Sequence, residues 1–284
     1  MSNTQKEKGS IKNHLVTSEE VKSELARALK SEYELIDAIF EFSLDVLRQC
    51  ENSELVKGDQ YSFHVSSWMF IRAYNSGLAS FELIKSGYSF HAAMICRSLF
   101  DDLMNLKYLN GENTEARANR YRAFRGLRKA RIIKRYQGIV GDEGFSEELK
   151  KYRNDAKENF RRSFPDGTWD LDWSGISDRD KAERTGLLKE YLVVSSQLSS
   201  YLHGGPEGID DAMKGTVNGK NEIWIGPRTA LAIETMSIVT QYLLMSLEEV
   251  IKKFGFDTEK TKLEKNWELW REKFTIVGRQ SLRG

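Results

Sequence analysis

The 284-residue sequence contains little cysteine and almost no net charge. Its two cysteines, Cys50 and Cys96, lie far apart and outside any C-x-x-C pair. This usage argues against a disulfide scaffold and against a zinc site built on cysteine. The 43 lysines and arginines are balanced by 42 aspartates and glutamates, which excludes a wholly basic protein of the histone type but leaves room for a local basic patch.

Long apolar runs are also missing. The longest uncharged stretch, residues 191–206, contains four serines and a glutamine, so it is too short and too polar to cross about 30 Å of hydrocarbon. The first residues carry charges without an apolar core behind them, unlike a signal peptide. We therefore expect a cytoplasmic protein without a membrane partner.

The sequence motifs of common cofactor and hydrolase sites are absent. The chain contains no G-x-x-x-x-G-K-[ST], no G-x-G-x-x-G after a strand, no H-E-x-x-H and no G-x-S-x-G. No two of its histidines are three or four residues apart, so a helical zinc pair is not supported. We expect neither a metal nor another cofactor. The histidines are His14, His64, His91 and His203.

What the chain does contain is helical periodicity. Aromatic residues make up 11% and apolar residues 40% of it, enough for a real core. The segment 88–109 is apolar nearly all round, as in a helix at the centre of its fold. We therefore predict an all-α fold, a single bundle of about seven or eight helices around this segment. Asn218-Gly219 between short apolar runs predicts one small inserted β-hairpin near residues 216–225.

Breaks in the helical pattern set the predicted boundaries. One helix is expected from Thr17 to about Cys50 and another over residues 181–203. A long helix is expected from Pro227, which suits a first helical position, to Phe254. The predicted organisation is a flexible tail over 1–16, a helical domain over 17–254 and a C-terminal helical extension over 255–284.

Arg97 and Asp101 stand out because they lie one turn apart on the apolar central helix. Charged residues are seldom fully buried without partners. One interpretation is functional: an arginine held by an aspartate and aimed at an anionic group, since guanidinium binds phosphate or carboxylate with two hydrogen bonds. The other is a structural ion pair that fixes helix register. The neighbouring Asp102 is expected to face solvent.

His203 ends an uncharged helix, directly before Gly204-Gly205. It is a candidate general acid or base, because histidine titrates near neutral pH unaided. Alternatively, it hydrogen-bonds the final carbonyls of its helix and complements the helix dipole. Ser199, one turn earlier, could orient it, and Tyr201 lies beside it as a candidate substrate contact.

A basic helix is expected over residues 114–136. Nine cations occur there, with no acid between Glu115 and Asp142. One interpretation is a phosphate-tracking surface with aromatic platforms, as proteins use on single-stranded nucleic acid. The other is a solvated face paired with acids elsewhere. On the first interpretation the candidate substrate contacts are Arg120, Tyr121, Arg128 and Arg131.

Two blocks of the sequence carry a family resemblance. GYSFHAAMICRSLFDDLMNLKYL (residues 87–109) and WSGISDRDKAERTGLLKEYLVVSSQLSSYLHGG (residues 173–205) resemble the two blocks of a bacterial family catalogued as domain of unknown function 5677. Asp101 stands where the family pattern has Glu. No activity is established for the family. At the level of the fold, it resembles helical nucleotide-binding and ribonuclease domains of bacterial toxin and phage-defence systems. The polar positions that match are Arg97, Asp101, Trp173, Tyr191, Ser199 and His203.

We therefore expect a nucleic-acid-directed helical protein of the bacterial defence or toxin type, with RNA or single-stranded nucleic acid as its partner. One form of this hypothesis is a metal-independent ribonuclease in which His203 moves a proton, Arg97 stabilises charge on the phosphate and Asp101 holds Arg97. It requires these residues to share one pocket. The alternative is a non-catalytic module that binds a small anion or nucleotide, or that forms a homodimer or another protein contact. The sequence does not decide whether the chain is an enzyme.

Overall fold

The chain folds as an all-α protein, as predicted. The predicted tail over 1–16 lies outside the described residues, and the predicted division at residue 254 stays a prediction. The computed structural model describes residues 18–58, 60–141, 146–164, 172–203, 214–217, 220–223 and 227–281.

The helices outnumber the seven or eight predicted, because segments expected to be continuous are interrupted by short turns. In chain order they are α1 (Ser18–Ala28), α2 (Lys30–Asn52), α3 (Glu54–Lys57), α4 (Tyr61–Lys85), α5 (Ser89–Asn110), α6 (Thr114–Val140), α7 (Glu147–Ser163), α8 (Asp178–Arg184), α9 (Leu188–Glu190), α10 (Ser196–Leu202), α11 (Ala232–Phe254) and α12 (Asp257–Ser281).

Three helix predictions need correction. The helix expected to run unbroken from residue 17 is interrupted at Leu29, whose φ of −118° and ψ of 27° are not helical. The helix expected over 181–203 is broken at Gly186, with φ +71°, and then contains a π-helical turn, Tyr191–Ser195. Pro227 does not start a helix, because Leu231 adopts φ +63° and α11 begins only after it.

Two short strands precede α11. Strand β1 (Lys214–Val217) pairs antiparallel with β2 (Lys220–Ile223), and Val217 lies opposite Lys220. The strands begin slightly earlier than the predicted 216–225. The expected turn residues 218–219, and residues 224–225, lie outside the described part of the chain.

The core forms where α4, α5 and α11 pack against one another. Helix α5 is central, as predicted: Cys96, Leu99 and Phe100 are fully buried, and the Phe100 ring lies 5.3 Å from that of Tyr242 on α11. Helix α2 covers α4 and α11, and α12 packs on α11 and α2. Trp270 of α12 donates from Nε1 to the carbonyl of Ser237 at 3.2 Å, so this helix belongs to the same core.

Gly87 joins three segments at the start of α5. Its φ of +81° favours glycine, and a Cβ there would lie 2.6 Å from Cγ1 of Val21 and 2.7 Å from Cβ of Pro227. The Arg228 N–H donates to the Gly87 carbonyl at 2.9 Å. This close approach fixes the chain that leads into α11 against the beginning of α5.

Candidate functional site

One face of α5 carries a stripe of polar side chains. Arg97, Asp101 and Asn105 follow one another at four-residue spacing, so they share a face of the helix. Arg97 Nη1 donates to Asp101 Oδ1, the pairing that their spacing predicted. The arginine side chain is 15% exposed and the aspartate 39%, so the cation is the more buried partner.

A lysine that the sequence did not single out completes this stripe. Lys181 of α8 is 1% exposed, and its Nζ donates to Asn105 Oδ1 at 3.0 Å. The same ammonium donates to Asp172 Oδ2 at 2.5 Å and to Asp178 Oδ1 at 3.3 Å. We call Asn105, Asp172, Asp178 and Lys181 the lysine cluster. A buried ammonium needs such partners, because an unpaired charge in the interior is strongly unfavourable.

The segment before α8 is built around the lysine cluster. Trp173 is buried, and its Nε1 donates to Asn105 Oδ1 at 3.3 Å. Gly175 has φ +74°, and the Ser177 hydroxyl accepts from the Asp180 N–H at 3.1 Å, which caps α8. The W-x-G-x-S block therefore has a structural role, because it closes a loop over Lys181 and joins α8 to α5.

Burial and charge shift the carboxyl groups in opposite directions. Burial raises the pKa of Asp101, and the charge and hydrogen bond of Arg97 offset this only in part. Burial alone would also raise the pKa of Asp172, but hydrogen bonds from Lys181 and Ser174 hold it below its usual range. The cations of this face are thus committed to carboxylates, and the network ties α5 to α8.

Asp102 is a correction to the sequence analysis, because it is buried rather than solvent-facing. It is 3% exposed, and its Oδ1 lies 3.1 Å from Nη2 of Arg72 on α4. Its Oδ2 has no hydrogen-bond partner among the described residues. Burial raises the pKa of Asp102 to about 6; Arg72 lowers it and Asp101 raises it further.

Helix α10 places the predicted His203 near the other end of α5. Tyr201 is buried, and its ring lies 5.1 Å from that of Phe90 in the first turn of α5. The His203 side chain is exposed, and its backbone N–H donates to the Ser199 carbonyl at 3.0 Å. Arg97 lies seven residues after Phe90, about 10 Å along the helix. No contact in the described part of the chain joins Arg97 to His203, and their common pocket stays a prediction.

The first turns of α6 anchor it to the bundle. Its only acid, Glu115, accepts the N–H groups of Tyr61 and Ser62 at 3.0 Å each, which caps α4. The Arg117 guanidinium lies 3.9 Å from the Tyr108 ring centre and donates to the carbonyl of the same residue. The remaining charged residues of α6 are all cations.

Three of the four predicted substrate contacts on α6 lie against aromatic rings. The Arg120 guanidinium lies 5.5 Å from the Phe164 ring, and that of Arg131 lies 5.4 Å from the Phe124 ring. Tyr121 packs edge-on against Trp173 at 5.3 Å. Arg128 is exposed, as a ligand contact requires.

The outer surface of α6 is nonetheless strongly cationic. None of its six exposed cations forms an ion pair with an acid among the residues described. Helix α7 packs antiparallel to α6, and we call the two helices the basic hairpin. Burial lowers the pKa of Lys157 on α7, and the nearby charges of Lys134, Arg153 and Arg161 lower it further. The exposed cations of α6 are Arg122, Arg125, Arg128, Lys129, Lys134 and Arg135.

A groove of about 670 Å³ runs between the two helices of the basic hairpin. Its floor is made of three small residues, Ala123, Gly126 and Ala156, together with the buried Phe160. The polar and aromatic residues of the rims are Asn119, Arg122, Tyr152, Asp155, Asn159 and Phe164.

Two further features are not found among the described residues. No three or more histidine, cysteine, aspartate or glutamate side chains there form a group able to hold a metal ion. None of the described helices is long and apolar enough to cross a membrane.

Comparison with known proteins identifies a family. The model of a family of unknown function, DUF5677, matches residues 63–221. This range contains both sequence blocks that carry the resemblance, residues 87–109 and 173–205. No curated protein matches. No solved structure matches either.

Proposed function

The chain belongs to DUF5677, a family of unknown function, so its function has to be inferred from its own structure. We propose that it binds RNA on the basic hairpin. The observation that carries this proposal is the set of six exposed cations on α6, none ion-paired among the described residues. Lysines and arginines that neutralise phosphates release counterions, which gives affinity independent of sequence.

Aromatic side chains beside these cations favour a single strand over a duplex. Tyr152 is 38% exposed, and the Lys129 ammonium lies 4.8 Å from its ring. The Arg122 guanidinium lies 5.0 Å from the Tyr61 ring. Unpaired bases stack on such rings while neighbouring cations hold the backbone.

The test compares two charge reversals of equal size in the full-length chain. One variant carries Arg125→Glu, Arg128→Glu and Arg135→Glu; the control carries Lys252→Glu, Lys265→Glu and Arg271→Glu at exposed positions of α11 and α12. Fluorescence anisotropy measures binding of a labelled 20-nucleotide single-stranded RNA between about 50 and 200 mM salt.

We expect the hairpin variant to lose at least about tenfold in affinity and to show a shallower salt dependence, with the control close to the wild type. Equal losses in both variants would show a general effect of net charge. Absence of binding by the wild type at low salt would overturn the proposal.

Cleavage of RNA is a separate proposal that needs Arg97 and His203 at one phosphate. It predicts that Arg97→Ala and His203→Ala lose cleavage with unchanged melting temperature. Equal destabilisation, with no cleavage by the wild type, would leave Arg97 and Asp101 as a structural pair. A non-catalytic anion, nucleotide or protein-binding module, including a homodimer, is the alternative, and its ligand binding would respond less to salt.

A further inference from the structure

The groove of the basic hairpin has the dimensions of a small-ligand site. Its volume of about 670 Å³ lies within the range of roughly 300–1,000 Å³ that is usual for such sites. A Cβ added at Gly126, on the floor of the groove, would lie 3.8 Å from the Cβ of Ala156. The two helices therefore approach each other closely at the floor.

The rims carry polar groups without partners. The side chains of Asn119, Asp155 and Asn159 make no hydrogen bond or ion pair within the described ranges. Asp155 is the least expected of these, because it stays unpaired on a hairpin rich in exposed cations. An ionised carboxylate offers two acceptor oxygens and no donor, so its natural ligand presents two N–H groups side by side.

Aromatic rings and a cation border the same space. Tyr152, in the second turn of α7, and Phe164, directly after the last residue of α7, both line the groove. Behind Phe164 lies the Arg120 guanidinium, whose Nε and Nη2 are buried without a hydrogen-bond partner in the described structure. Arg122 stands on the rim, where it can meet a phosphate. Flat stacking surfaces with a nearby cation suit a nucleobase and its phosphate.

We propose that this groove receives one unstacked base of the bound strand, and that Asp155 makes guanine the preferred base. Guanine presents N1–H and the 2-amino group side by side on its Watson–Crick edge, which matches the two oxygens of a carboxylate. The corresponding edges of adenine, cytosine and uracil each present one donor group beside an acceptor. This inference rests on the proposed RNA binding and adds base selection to it.

The experiment uses the full-length chain and four ten-nucleotide RNAs. Each is oligo-uridine with a single guanosine, adenosine, cytidine or uridine at the same central position, and anisotropy gives the four affinities. We expect the guanosine strand to bind about tenfold more tightly than the others, since one good bidentate contact discriminates by that order.

Two substitutions test the residues. Asp155→Asn removes the paired acceptors and is expected to abolish the guanosine preference while affinity for oligo-uridine is kept or rises, because a negative charge is lost. Gly126→Leu fills the floor and is expected to have the same effect on preference. Glu158→Gln is the matched control: it lies on the same helix outside the groove, 3.8 Å from Arg162, and should keep the preference.

The outcomes separate the two proposals. Salt-dependent binding of all four strands with equal affinity overturns base selection in the groove and leaves RNA binding intact. A guanosine preference that survives both Asp155→Asn and Gly126→Leu, in variants with wild-type circular dichroism and melting, also overturns it. Failure of the wild type to bind any strand overturns the RNA-binding proposal itself.

Discussion

The basic hairpin and the rest of the chain carry net charges of opposite sign. Helix α6 has nine cations and one acid and α7 has six cations and four acids, so together they carry a formal charge of +10. In a protein of formal charge +1, the rest of the chain then carries −9. Near-neutral composition therefore hides a strongly polarised molecule, and average charge says little about what its surfaces bind.

The two regions also differ in how they treat individual charges. The bundle surrounds Lys181 with Asn105, Asp172 and Asp178, and it pairs Arg97 with Asp101. On the basic hairpin, the six exposed cations of α6 form no ion pair with an acid among the described residues, although exposed pairs within α7 do occur. The buried cations of the bundle are thus paired with carboxylates, whereas we propose that the exposed cations of the hairpin serve binding. Four substitutions probe the two regions, from the largest expected effect to the smallest.

Lys181→Ala should have the largest effect. It removes the donor shared by Asn105 and Asp172 in a buried cluster, so we expect the free energy of unfolding to fall by about 3 kcal/mol in urea denaturation. The control, Lys150→Ala on α7, breaks an exposed pair with Glu147 and should change stability by less than about 0.5 kcal/mol. Similar losses in both variants would contradict the contrast.

Gly87→Ala should have the second-largest effect and lower the free energy of unfolding by about 2 kcal/mol. Its φ is positive, and a Cβ at this position would lie only 2.6 Å from Val21 and 2.7 Å from Pro227, so there is no room for a methyl group. Gly138→Ala in α6 has open space around it, and higher helix propensity should stabilise the protein by up to about 1 kcal/mol. Thermal melting of both variants checks whether the signs are opposite.

Asp102→Asn should stabilise the bundle at pH 8, by up to about 2 kcal/mol. Burial raises the pKa of Asp102 from 3.8 to about 6, so the folded wild type binds this proton more tightly than the unfolded chain. The stabilising effect of protonation is complete below pH 3.8 and is lost as the pH rises through about 6.

The advantage of the Asp102→Asn variant should therefore shrink between pH 6 and pH 4 in urea denaturation. Exposed Glu248→Gln serves as the control and should show no such trend. A variant less stable than the wild type at pH 8 would mean that the ion pair with Arg72 outweighs the burial of the carboxylate.

Lys157→Gln should have the smallest effect, a gain within about 0.5 kcal/mol. Burial and the charges of Lys134, Arg153 and Arg161 lower the pKa of this lysine, so its removal relieves repulsion in the hairpin. The gain should vanish in high salt, which screens exposed charges. Lys260→Gln, which breaks a pair with Asp257 at 2.7 Å, should instead cause a small loss.

Local pattern is enough to predict much of the fold. Apolar residues on all sides of 88–109 identify the central helix, and four-residue spacing identifies the pair of Arg97 with Asp101. Lys181 does not stand out in the sequence because it lies in a charged stretch typical of a solvated helix, while its partner Asn105 is 76 residues away in the chain. Its burial depends on tertiary contacts that spacing does not reveal.

Tertiary contacts also decide which charged residues of α5 and α6 are buried. The sequence spacing puts Asp102 on a different face of α5 from Asp101, but it does not show that α4 and Arg72 cover that face. The nine cations of α6 are evident from the sequence alone. Which of them turn inward, such as Arg117 and Arg120, depends on aromatic rings of α5 and α7 and on the residue that follows α7.

The packing of α11 on α4 and α5 has a practical consequence. The family match ends at residue 221, before α11, and begins after α2 and within the first turn of α4. A fragment trimmed to that match would lose the helices that shield Phe100 and its neighbours from water. We expect such a fragment to aggregate on expression, so functional trials should retain residues 18–281.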